Sequence, residues 1–287
     1  MGHHYIPQKY LKGFSGTNPN KVWMYDKRKR QFSEAAISKI AQESAFYEDD
    51  VEVELNVAVE SPANPAIDKL RRREAINAEE RVRLALYVAV MLMRVPNRRL
   101  KALEKYPRII DDTVHRTMGE IKRIGETTDI KPEVVDRRLR EVEEARQKFK
   151  QQPPEVLMDQ VRSPWPSENV VNAIYSMHWR YLIASDGPVY FLTTDNPAFF
   201  FGAYGMGRDE SEISFPISSS ICLLGNCQPG RDSELFVGVR QVAVKEMNRR
   251  NASTATRFLF YREPAPWVEK IAHKERPYLS RILWNRA

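Results

Sequence analysis

The segment Thr193-Thr194-Asp195-Asn196-Pro197 follows the apolar run Val189 to Leu192, so a strand ends there on a carboxylate and an amide. Pro197 fixes the backbone behind them. Such a pair can orient a water, hold a divalent cation or accept hydrogen bonds from a polar substrate, and it can equally start an ordinary turn by bonding its own backbone. His4 and Gln8 flank Pro7 in an arm that is otherwise apolar and aromatic. Its imidazole can serve as acid, base or metal ligand near neutral pH, or make a structural hydrogen bond while Tyr5, Ile6, Tyr10, Leu11 and Phe14 anchor the arm. Glu60, after the apolar stretch Leu55 to Val59, is the acid to pair with Asp195 at a metal, with Glu43 in reserve. Arg94 closes an apolar helix, where a guanidinium either clamps a phosphate or carboxylate or neutralises Glu60 inside the protein. The expected set is therefore His4, Asp195 and Asn196 for catalysis, Arg94 and Gln8 for substrate, and Glu60 with Asp195 for a divalent metal.

Those residues need elements to position them. The spacing predicts a helix over 32–46, with Ser33 as N-cap, and a second short helix over 51–59 that Pro62 and Pro65 break. Asn77 with Glu80 three residues on has the spacing of a capping box and precedes a helix over 82–95, apolar nearly all round, that belongs in a bundle centre. Ile110, Val114, Met118 and Ile121 form one stripe, and Val135, Leu139, Val142 and Phe149 a second, so 97–150 should be an antiparallel helical hairpin, heavily charged off the stripes and projecting. Beyond Pro153 the pattern changes. Strands are expected at 22–25, at 179–184 and 189–193 as a hairpin, and at 198–201, 214–217, 221–224 and 257–261, with helices over 239–255 and 265–273. The fold class is α+β: an N-terminal and central helical bundle with the projecting hairpin, packed on a mainly antiparallel C-terminal sheet. A single domain spans 1–287, its helical part about 33–150 and its sheet about 170–287, completed by the arm 1–30.

Charge is segmented along the chain. Residues 1–30 carry seven Lys or Arg against one acid, and 34–68 nine acids against one lysine, so the two stretches can pair internally. Residues 94–150 return to sixteen basic against eleven acidic side chains. With a net charge of +7 this allows nucleic acid or another polyanion as partner without requiring one. Cys222 and Cys227, the two cysteines, lie in or beside apolar sequence and read as reduced structural thiols of a cytoplasmic protein. The N-terminus lacks the pattern of a signal peptide, and the longest apolar run, Leu84 to Met93, is too short to span a membrane.

No phosphate-binding loop, dinucleotide fingerprint, zinc-protease helix or nucleophile elbow is present. Asp111, Glu120 and Lys122 have the lettering of a nuclease set but fall on a predicted helix, whereas that chemistry is expected at a strand edge. His178 before Trp179 reads as the start of a core strand. Taken together, His3-His4-Tyr5-Ile6-Pro7-Gln8-Lys9-Tyr10-Leu11-Lys12-Gly13-Phe14, Trp23-Met24-Tyr25-Asp26, Trp179, Thr194-Asp195-Asn196-Pro197, Phe215-Pro216-Ile217-Ser218 and Asn248 resemble a bacterial family known as domain of unknown function 4238. Thr194 stands where that family commonly has Ser, which keeps a hydroxyl. The resemblance implies one family-wide soluble domain of bacterial or viral source and no particular reaction. The residues themselves favour a hydrolase acting on a phosphate-bearing or nucleic-acid substrate. The alternative is a non-enzymatic nucleic-acid or protein interaction module in which the Asp-Asn-Pro turn is a structural lock.

Overall fold

The computed structural model describes residues 2–44, 49–153, 158–159, 163–201, 205–227 and 235–274. It is an α+β protein with mainly antiparallel sheets. The chain divides into two compact units, Met1–Asn97 with Pro164–Ala287, and Arg98–Ser163.

In the larger unit the N-terminal arm comes first: β1 (Gly2–His4), then the single helical turn α1 (Gln8–Leu11). Tyr5, Ile6, Tyr10, Leu11 and Phe14 are all buried, in one core cluster with α3 (Ser61–Arg71), α4 (Ala78–Met93) and sheet residues Ile213, Phe215 and Leu223. The expected capping box at Asn77 is present in both directions, Glu80 N–H donating to Asn77 Oδ1 and Asn77 N–H to Glu80 Oε2. The helix it starts is buried along Leu84, Ala85 and Tyr87 to Met91, as its all-round apolar character demands.

Residues 32–46 do not form the expected helix. Asp26 Oδ1 accepts the N–H groups of Arg28 and Lys29, and Arg30 takes a left-handed φ of 54°, so the chain reverses after β2 (Lys21–Asp26). It returns as β3 (Gln31–Ala36), paired with β2 along its whole length, and a short β4 (Gln42–Ser44) then pairs with β1. Strand pairing supplied by a preformed turn overrides the weak helical spacing of Ile37, Ile40 and Ala41. Residues 45–46 of the expected helix lie outside the described residues.

Nor do Pro62 and Pro65 break the next helix. From α2 (Asp49–Leu55) the chain passes through one π turn, Asn56–Glu60, directly into α3, which contains both prolines. Proline removes an N–H donor and crowds the carbonyl four residues back; a wider turn immediately upstream relieves both faults without ending the helix.

Two sheets carry the C-terminal half. One has the order β10-β5-β9-β8-β7, made of β5 (His178–Ala184), β7 (Phe199–Phe201), β8 (Glu212–Pro216), β9 (Ile221–Asn226) and β10 (Phe236–Val239); its β10–β5 pair is parallel. The other, β3-β2-β11-β6, joins the N-terminal hairpin to β11 (Phe258–Tyr261) and β6 (Thr193–Thr194). The expected 179–184/189–193 hairpin is absent, because β5 pairs with β9 and β10 instead. Phe191 N–H donates to the carbonyl of Ser219, and Val189, Tyr190 and Leu192 are bonded by two side-chain amides of α8 (Gln241–Thr254), seven positions apart on the same helical face. Gln241 accepts from Val189 N–H and donates to Val189 C=O, while Asn248 accepts from Leu192 N–H and donates to Tyr190 C=O. Helices α7 (Glu168–Ser176) and α9 (Trp267–Ala272) complete this unit. The strand β10 and the helix α7 are not among the elements expected from the sequence.

The smaller unit is the expected hairpin, α5 (Pro96–Thr127) followed by α6 (Pro132–Gln151). Its antiparallel register is pinned by Asp111, which accepts from both Arg146 and Lys150, and at the turn by Val135 packed on Gly125.

Candidate functional site

A concave cavity of about 380 Å³ lies between the N-terminal arm, the α2–π–α3 segment and the end of α4. Its helical wall is built from Glu52, Asn56, Glu60 and Asn64. Steps of four residues overrun the 3.6-residue turn of an α-helix, whereas in a π turn they fall short of a full circuit. One π turn in the middle of the run therefore cancels the drift and keeps four residues, each four apart, on a single face. The opposite wall is the arm, with His4 and Gln8, and Arg94 closes one side.

Arg94 is 2% exposed and sits at the C-cap of α4, where a cation meets the negative end of the helix dipole. Its Nη1 donates to Glu60 Oε1 at 2.5 Å, and its Nη2 donates to the carbonyl of His4. A single guanidinium thus couples the π turn to the arm. The main-chain N–H of His4 donates to Glu52 Oε1 at 3.2 Å, and His4 Nδ1 is 3.8 Å from the same oxygen, close enough for charge attraction but too far for a hydrogen bond. His4 Nε2 is buried and has no hydrogen-bond partner among the described residues. Lys9, at the rim, is paired with Asp68 at 2.8 Å. Asn56 Oδ1 accepts from Ser61 Oγ.

Of the residues singled out from the sequence, His4, Gln8, Glu60 and Arg94 share this cavity, and Arg94 does neutralise Glu60. Asp195 and Asn196 are not among its lining residues. Asp195 is 2% exposed, its Oδ1 accepting from Thr256 N–H and its Oδ2 from the N–H groups of Arg257 and Phe258, at 2.6–3.0 Å. Both oxygens are committed to the backbone where α8 hands over to β11. Asn196 donates to the carbonyl of Thr254, at the end of α8, and the hydroxyl of Thr194 both accepts from Asn196 N–H and donates to Asn196 C=O. Glu43 lies on β4 opposite His3. His178 is exposed at the start of β5. Among the described residues no group of three His, Cys, Asp or Glu side chains is arranged to hold a metal ion.

The remaining candidates carry structural duties. Burial pushes the Cys222 thiol well above its ordinary range, which keeps it from forming the reactive thiolate. Asp111 is held low by Lys150 and Arg146. Sequence reasoning missed Glu52, Asn56 and Asn64. The signal was their four-residue spacing through Glu60, hidden because Pro62 and Pro65 were read as the end of the helix.

Burial pushes Asp195 up from the ordinary aspartate value to about 6, against the opposing pull of three N–H donors and of Lys27. A carboxyl raised in the native state holds its proton more tightly folded than unfolded, so its contribution to stability is greatest near pH 4 and is lost as pH rises through 6. Urea unfolding of wild type and Asp195→Asn across that range should show this falling component only in wild type. Asp195→Asn should also be about 1–3 kcal/mol less stable at pH 7, since an amide NH₂ would face backbone N–H groups. Superimposable pH profiles would contradict the raised Asp195 pKa, and an Asp195→Asn protein as stable as wild type at pH 7 would remove the lock assigned to Asp195. For Arg94, replacement by Lys should lower stability by about 2–3 kcal/mol, because an ammonium cannot reproduce the fork that reaches both Glu60 and the His4 carbonyl. An unchanged melting temperature for Arg94→Lys would contradict that bridging role.

No described helix is long and apolar enough to cross a membrane. No curated protein and no solved structure matches the chain. The model of one family does match, over residues 2–265, and that family is described as Protein of unknown function (DUF4238).

Proposed function

Because the chain belongs to the DUF4238 family, whose description names no reaction, we propose from geometry alone that it is a hydrolase with its reaction centre in the His4 cavity. The observation that carries this reading is a buried imidazole nitrogen without a partner among the described residues, beside two carboxylates that each have one oxygen engaged, on the wall of a cavity sized for a small molecule. In this reading His4 takes a proton from the attacking water and returns it to the leaving group. Arg94 is a positioning residue, holding Glu60 and the His4 main chain in register. The substrate expected from sequence, phosphate-bearing or nucleic acid, has weaker support here, since Arg94 is bonded to Glu60 and Lys9 to Asp68.

The test is product release from a panel of phosphate esters, nucleic acids, glycosides, amides and esters, followed by mass spectrometry. One class should be turned over, and His4→Gln should lower kcat by about 10²–10⁴-fold while its circular dichroism and melting temperature stay at wild-type values. A folded His4→Gln protein with undiminished turnover would end the reading.

A second reading, a non-enzymatic interaction role, is favoured by the hairpin. No residue of α6 is buried, and Leu100, Leu103, Ile109, Ile124 and Phe149 are exposed among its many basic side chains. If nucleic acid is the partner, its affinity should fall with salt, and Arg108→Glu with Arg116→Glu should reduce the log–log salt slope by about one per lost phosphate contact. Absence of binding at low salt would sink that reading.

A further inference from the structure

The cavity's charge is arranged in a way that selects its ligand. Along the helical wall, beside the apolar Val53, the polar residues alternate carboxylate and amide, Glu52, Asn56, Glu60, Asn64, with successive rungs about 6 Å apart along the axis. Each glutamate has one oxygen occupied by the protein itself, Glu60 Oε1 by Arg94 and Glu52 Oε1 by the His4 N–H. The second oxygen of each is left as an acceptor. Asn64 and Gln8 add amides, and Asn56, whose Oδ1 is engaged by Ser61, keeps its NH₂. The two cations of the lining are already neutralised, Arg94 by Glu60 and Lys9 by Asp68.

An anion entering this space would have to pull Arg94 away from Glu60, in a partly buried setting where breaking an ion pair is unfavourable, and would still face Glu52. A cation meets the opposite situation: among the described residues the second oxygen of each glutamate has no partner, and the neutral Asn56 stands between them. We propose that the group this cavity anchors is a cationic nitrogen of the substrate, a primary amine or guanidinium, drawn to the wall that Glu60 and Glu52 make negative. This rests on the reading of the cavity as the functional centre and replaces phosphate with an amine-bearing compound as the class the site takes. The bond cleaved then lies beside His4 on the arm.

Three probes of similar size separate the alternatives: putrescine, its diol counterpart butanediol, and inorganic phosphate. Each is titrated against the full chain and followed by melting temperature and calorimetry. Putrescine should bind at least about ten-fold more tightly than butanediol, the increment of one charge-assisted hydrogen bond, and phosphate should give no shift. Glu60→Gln should abolish the putrescine response, but it also frees Arg94 and can unsettle the fold. Glu52→Gln and Asn64→Leu leave the Arg94–Glu60 pair intact and should each weaken putrescine several-fold in a protein that melts like wild type. Binding of phosphate without putrescine overturns the amine anchor while leaving the cavity as a ligand site. A response to none of the probes, or a putrescine response unchanged in Glu52→Gln and Asn64→Leu, also overturns it. The effect of His4→Gln on turnover is read without these probes, so the hydrolase reading fails or survives separately.

Discussion

An irregular N-terminal arm is buried in the core, and its main-chain carbonyls have to find donors there. Pro7 prevents a continuous strand, so β1 ends at His4 and the arm cannot satisfy itself by a ladder. The solution is a pair of helix-borne guanidinium groups. Arg71, at the end of α3, donates to the carbonyls of Tyr10 and Ile217, and Arg94, at the end of α4, donates to that of His4. The Tyr10 hydroxyl adds a bond to the carbonyl of Pro216 and another with Thr193 Oγ1. Close approach of this arm also explains Gly13, where a Cβ would collide with Arg71 Nη2 and with the Ile217 carbonyl. An apolar arm held by its side chains alone would leave buried carbonyls unpaired, each a destabilisation of a few kcal/mol.

The cavity follows from the same constraint. Arg94 must reach the His4 carbonyl, and a buried guanidinium needs a counter-charge, which Glu60 provides. The π turn sets where that counter-charge stands, on one face with Glu52, Asn56 and Asn64. Side chains able to do chemistry are therefore gathered by an arrangement whose first duty is structural. For this reason the Arg94 guanidinium is engaged by Glu60 and the His4 carbonyl.

Asp195 shows how the same residue types divide between structure and chemistry. A strand-end carboxylate followed by Asn-Pro is a good candidate for either, and local sequence cannot say which backbone N–H groups will come within reach. The three that take it up belong to Thr256, Arg257 and Phe258, some sixty positions further on. Likewise the apolar run 189–192 looks like a strand, yet its polar backbone is bonded by Gln241 and Asn248 from a helix and by the carbonyl of Ser219. In both cases the deciding partner is distant in sequence.

Local physical chemistry was enough to read the capping box at Asn77, the buried helix behind it, the charged hairpin with its two stripes, the helix over 241–254 and the family resemblance that the match over residues 2–265 bears out. Those features rest on interactions within a turn or two of helix, or on contiguous motifs. The pairing of Arg94 with Glu60, one of two alternatives for that side chain, was also visible, because a cation on an apolar helix needs a partner. Tertiary structure alone decided the rest. It turned 31–36 into a strand through pairing with β2, carried a helix through two prolines by widening one turn, and sent Asp195 to the backbone rather than to His4. Each of those outcomes turns on which distant groups meet, and hydrogen-bond satisfaction in a packed interior is a property of the whole fold rather than of any one segment.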